Sequence, residues 1–155
     1  MKAELNLLVA WLWILLGFIS GLVLGLFFQR ESWLGGYASF KRRMYRLAHI
    51  SFFGLGFVNF LFALTPKNIP ATGPLVEIAS WTFVLGALTM PLCCVVMAHY
   101  PKAQMIFAVP VVCLIFGGGL TLTLLVHKVE IAGTANTTAI ASFTVQPSIT
   151  TNSLP

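Results

Sequence analysis

The sequence predicts an all-α integral membrane protein, a four-helix transmembrane bundle with short loops and a flexible carboxyl-terminal tail. Three observations carry that expectation. Of the 155 residues, 58% are hydrophobic and 8% charged, whereas ordinary soluble domains carry about 25% charged residues. Four long apolar runs, residues 5–28, 44–64, 75–100 and 103–126, each reach the roughly 20 residues that a helix needs to cross a hydrocarbon core about 30 Å thick. Little chain remains between them, so residues 1–127 are expected to form one transmembrane domain and residues 128–155 a Thr/Ser-rich tail.

The first run, Leu5 to Phe28, holds Asn6 and Ser20 as its polar side chains. It exceeds the 7 to 15 residues of a signal-peptide apolar region and lacks an A-x-A-like site beyond it, so it reads as a retained helix. Gly17, Gly21 and Gly25 recur at every fourth position and line one face. Such a small-residue seam lets another backbone approach closely, either within the chain or across a dimer.

The second run follows Lys41, Arg42 and Arg43 and ends at Thr65-Pro66, where proline disfavours helix for the residue before it. Arg46 is placed to snorkel toward headgroups. Asn59 lies within the run, where an amide in hydrocarbon seeks an interhelical hydrogen bond worth about 1 kcal/mol. Gly56 lies seven residues beyond His49 on nearly the same face, leaving room for a ligand or a neighbouring helix.

The third run follows Gly73-Pro74, and proline suits the first helical turn because its missing N–H would be unsatisfied there anyway. Glu77 complements the dipole in that first turn. Pro91 is expected to kink the helix and Pro101 to end it. Ala79/Ser80, Gly86/Ala87 and Cys93/Cys94 recur every seven residues, a stripe expected to face the bundle centre. The cysteines, with Cys113, show no CxxC spacing and read as small apolar packing residues.

The fourth run contains Pro110 and Gly117-Gly118-Gly119, so a bent or closely packed helix is expected. From Lys128 onward the composition turns to Thr, Ser, Ala and Asn, too poor in large apolar residues for a core. Ala139 to Val145 is compatible with a transient strand or helix. Asn136-Thr137-Thr138 matches a glycosylation sequon, a weak signal in a Thr-rich tail.

The formal net charge of +5 is concentrated in residues 29–46, which carry Arg30, Lys41, Arg42, Arg43 and Arg46. Charge so placed is a topology signal rather than a nucleic-acid footprint, and it assigns that loop to the cytoplasmic side, with the amino terminus and the tail outside. Small size, short loops and the lack of a targeting segment suggest a bacterial inner membrane.

No nucleophile elbow, phosphate loop, zinc-protease motif or pair of catalytic carboxylates can be read from the chain, which argues against an enzyme. The leading expectation is an accessory subunit, or an assembly or interaction protein, of a larger membrane complex or homo-oligomer. Ionisable groups within apolar runs are the default functional candidates. His49 and His99, on antiparallel neighbouring helices near one face, lead to the alternative of an electron-transfer subunit binding b-type haem or quinone. Met90, Cys93, Cys94, Met97 and His99 offer soft ligands but do not share one helical face, so no metal site is expected. A third alternative, a small oligomeric transporter or channel, lacks the usual mid-membrane carboxylate.

Overall fold

The computed structural model describes residues 2–65 and 73–144. Four long helices account for most of them: α1 (Lys2–Leu26), α2 (Phe40–Leu64), α3 (Pro74–His99) and α4 (Ala108–Thr144). Short 3₁₀ segments, Trp33–Gly35 and Pro101–Phe107, sit between α1 and α2 and between α3 and α4. No strand occurs among the described residues. All four helices are long and apolar enough to cross a membrane.

Helix α2 begins four residues before the apolar run, because Ser39 caps it by accepting the Arg42 N–H at 3.2 Å. A cap, not the onset of hydrophobicity, sets a helix start. Helix α3 runs through Pro91 without interruption. Helix α4 starts later than residue 103, since the chain is 3₁₀ to Phe107 and Pro110 then falls in the first α-turn. At its far end the expected break at Lys128 does not occur, and the helix continues to Thr144. Extending a formed helix costs little per residue, and no proline interrupts the chain between Pro110 and Pro147. Residues 145–155 of the expected tail lie outside the described residues.

Each helix packs on the next in sequence, and α4 packs principally on α3. The α1–α2 hairpin is close because glycines admit it. A Cβ on Gly56 would lie 3.2 Å from the Ala10 carbonyl and 3.3 Å from Trp13 Cβ. Gly56 thus makes room for a neighbouring helix. One core cluster joins Val9, Trp13, Leu55, Val84 and Ala87, and a second joins Phe62, Ala79 and Phe83. The heptad stripe of α3 is buried throughout, from Ala79 and Ser80 to Cys93 and Cys94.

Polar contacts fix the register of this apolar assembly. Asn6 on α1, Asn59 on α2 and Ser80 on α3 are at most 2% exposed. Asn6 Nδ2 donates to Asn59 Oδ1 at 2.8 Å, and Ser80 Oγ donates to Asn6 Oδ1. Asn59 Nδ2 in turn donates to the Leu55 carbonyl at 2.9 Å. Two turns along α1, Trp13 Nε1 donates to the Ala87 carbonyl on α3 at 3.0 Å. That carbonyl is the one that Pro91, lacking an N–H, cannot bond. Cys93 Sγ in turn donates to the Ile106 carbonyl, in the 3₁₀ segment before α4, at 3.4 Å.

Two outcomes follow for reversible unfolding in mixed micelles. Asn59→Ala should destabilise the protein by about 1–3 kcal/mol, the cost of leaving buried polar partners unsatisfied, whereas the open position Gly25→Ala should stay within about 0.5 kcal/mol. Trp13→Phe should cost roughly 1 kcal/mol less in a Pro91→Ala background, where an N–H is restored to Ala87, than in the parent. Equal costs in both backgrounds would show that the indole bond does not serve the freed carbonyl.

Candidate functional site

The ionisable residues of the interior gather where α1 passes into α2. Leu34, Gly35 and Gly36 all have positive φ, at 55°, 85° and 97°. Only glycine adopts that region without steric cost, and Leu34 is held by its carbonyl accepting from Ser39 Oγ at 2.7 Å. The turn folds Phe28, Trp33 and Tyr37 back over the first turn of α2. There the Arg42 guanidinium lies 4.6 Å from the Tyr37 ring centroid, 5.7 Å from Phe28 and 5.8 Å from Trp33. Its Nη2 donates to the Phe28 carbonyl at 2.6 Å. One helical turn on, Arg46 lies 4.9 Å from the same Tyr37 ring and donates from Nη2 to the Tyr37 carbonyl at 2.9 Å.

His49 lies one turn further along α2 and faces α1. Its Nδ1 is 3.0 Å from Ser20 Oγ, which also lies 3.0 Å from the Gly17 carbonyl. The Ser20 hydroxyl has one proton to give, to that carbonyl or to Nδ1, so its rotation and the His49 tautomer are linked. Gly21 makes room for the ring, as a Cβ there would meet His49 Cε1 at 2.8 Å. His99 is exposed at the end of α3, with Nδ1 3.0 Å from the Val95 carbonyl. A carbonyl only accepts, so at His99 Nδ1 carries the proton. The two rings turn to different neighbours: His49 stacks edge-on against Phe53, and His99 against Tyr45. They share one end of the molecule but not one seam, so the described contacts do not form a single two-histidine clamp.

The small residues divide in the same way. Gly17 receives the Phe53 ring and Gly21 the His49 ring, both from α2 of the same chain, while Gly25 has nothing within 4 Å of a Cβ. Gly86 faces Leu114 and the Pro110 carbonyl of α4. Among the described residues no group of three or more His, Cys, Asp or Glu converges to hold a metal ion. His127 and Glu130, 3.8 Å apart, form a solvent-exposed ion pair on α4 that is worth little.

Toward the opposite end an open groove of about 750 Å³ separates α2 from α4, with Phe62, Phe83, Leu114, Gly118, Thr121 and Leu122 among its walls. Thr121 donates to the Gly117 carbonyl of its own helix, so that wall presents almost nothing polar.

Two residues central to these contacts were not singled out by the sequence. Asn6 sits near the start of α1, where a polar residue reads as marking the interface; its distance from Asn59 and Ser80 in the chain hides the network. Arg42 reads as one charge in a basic run, yet it is 2% exposed. Its signal is the aromatic spacing Trp33-x-x-x-Tyr37 ahead of a Ser cap and an arginine.

Ser20→Ala should change the nitrogen-15 shifts of the His49 imidazole and leave those of His99 unchanged, because Ser20 Oγ meets Nδ1 of His49 while His99 Nδ1 meets the Val95 carbonyl. Unchanged His49 shifts would show that the Ser20 contact does not form. No family model, no curated protein and no solved structure matches the chain.

Proposed function

We propose that this chain is a four-crossing membrane bundle acting as a non-catalytic accessory subunit, with a partner's apolar helix docked in the groove between α2 and α4. The observation that carries the reading is the imbalance of α4. Of its apolar stretch 11% is buried, against 22% for α1, 39% for α2 and 50% for α3. Gly118 lines the groove with nothing within 4 Å of a Cβ, and small residues are what membrane helices use to approach one another. At 37 residues, α4 is about 55 Å long, well beyond a hydrocarbon core of about 30 Å. Its polar end, from Lys128, would project past the bilayer and extend the docking surface. The distribution of arginine and lysine supports an orientation with the loop before α2 in the cytoplasm and both termini outside, and small size with short loops suits a bacterial inner membrane.

A photo-crosslinker at Leu122 in native membranes should give one discrete protein adduct, absent when the crosslinker replaces exposed Leu15 on α1 and abolished by Gly118→Leu. Lipid adducts alone at Leu122 would refute docking there.

The electron-transfer alternative rests on one observation, that His49 and His99 hydrogen-bond through Nδ1, which leaves Nε2 of each ring outside those contacts. Visible spectra of oxidised and dithionite-reduced protein from haem-replete cells should be featureless under the docking reading. A redox-sensitive Soret band lost in His49→Ala would replace that reading with haem ligation.

A further inference from the structure

We infer that Arg42 and Arg46 form a built site for the phosphate of an anionic phospholipid, and that the Phe28–Trp33–Tyr37 collar shapes its entrance. The inference starts from two exceptions to an otherwise satisfied interior. Arg42 Nη1 and Arg46 Nε are buried and have no hydrogen-bond partner. Arg42 is 2% exposed, and a charged donor left bare at such a position is costly. The aromatic faces offset part of the desolvation of each cation, but they accept no directed N–H bond in the plane of the guanidinium.

The charge balance points the same way. Both guanidinium carbons lie within 5 Å of one ring centroid, that of Tyr37. Neither cation pairs with a carboxylate among the described residues, and Glu31, the acid of this loop, is exposed. Two like charges held on one ring, with an open donor each, lack an anion between them. A phosphate fits, because it accepts from two guanidinium groups at once. The start of α2 adds the favourable end of its dipole.

The depth of the site selects the source. Arg42 stands in the first turn of α2 and reaches the chain just past the end of α1, the level at which headgroups meet a crossing helix. Basic pockets between helices at that level hold anionic lipid headgroups. Phe28 and Tyr37, the rings beside the Arg42 guanidinium, are each about half exposed, so the collar reaches the surface of the bundle. The argument rests on the membrane reading of the preceding section but not on the docked partner.

The test is native mass spectrometry of the full chain released from mild detergent after titration with dioleoylphosphatidylglycerol or dioleoylphosphatidylcholine. Incorporation into vesicles, checked by flotation, is a separate measurement of the membrane reading. The expected result is one tightly retained phosphatidylglycerol, with phosphatidylcholine, whose phosphate is followed by a cationic choline that two guanidinium groups repel, bound at least about tenfold more weakly. Arg46→Gln should weaken phosphatidylglycerol about tenfold, and Arg42→Lys, which keeps the charge but loses the fork, should do likewise. Arg43→Gln removes the same charge from an exposed position and should change binding less than about threefold. Equal losses for Arg43→Gln and Arg46→Gln would reduce the site to diffuse attraction and overturn the inference, as would equal retention of the two lipids by a chain that floats with vesicles. Displacement of the lipid by millimolar inorganic phosphate would assign the pocket to a soluble anion and overturn the lipid source.

Discussion

Every polar group inside so apolar a chain has to find a partner within the fold, and that requirement determines where the helices lock. Side-chain hydrogen bonds tie the helices at a few points. Trp13 on α1 serves the carbonyl that Pro91 leaves open on α3, and Cys93 on α3 reaches the Ile106 carbonyl in the 3₁₀ segment before α4. Asn6, Asn59 and Ser80 satisfy one another at the meeting of three helices. Apolar packing alone would allow α1 to slide along α3 by a residue or a turn. The paired offsets of Asn6 to Ser80 and Trp13 to Ala87, seven residues apart on both helices, permit one register.

The two ends of the α1–α2 hairpin are held by different chemistry. At one end the Asn/Ser node is self-contained, with donors matched to acceptors. At the other, Arg42 binds the Phe28 carbonyl and the aromatic collar yet keeps an open donor, and so does Arg46. An interior that leaves so little unsatisfied elsewhere makes this pair of exceptions informative, and it is the part of the structure most suited to receive something from outside. Helix α4 stands apart from both devices. It is tied to α3 through Gly86, Gly117 and the Cys93 contact, and it leaves one wall of the groove along α2 open.

Hydropathy made the four helices legible, because runs of about 20 apolar residues have few other uses. Their ends were less so. The start of α2 depends on the Ser39 hydroxyl rather than on hydrophobicity, and α4 outlasts its apolar run because nothing in residues 128–144 breaks a helix already formed. Asn59 and the stripe of small residues on α3 were legible as packing features, since amides and small side chains in apolar helices mark interfaces. Their partners were not: Asn6 and Ser80 are remote from Asn59 in sequence, and only the fold brings the three together. His49 and His99 looked alike on paper, one turn inside and at the end of neighbouring helices. Their rings part because Gly17 and Gly21 open α1 to the face of α2 that carries His49, a consequence of helix rotation that spacing alone does not encode.

Four helices stitched by internal polar contacts and crossing a bilayer fix the sidedness of every loop. Single cysteines at Ser32, Gly73, Gln104 and Thr134, in a variant lacking Cys93, Cys94 and Cys113, would be labelled with a membrane-impermeant maleimide in sealed, oriented vesicles. Four crossings require Ser32 and Gln104 to react from one side and Gly73 and Thr134 from the other. Labelling of Gly73 from the same side as Ser32, or of all four positions from one side, would contradict the account.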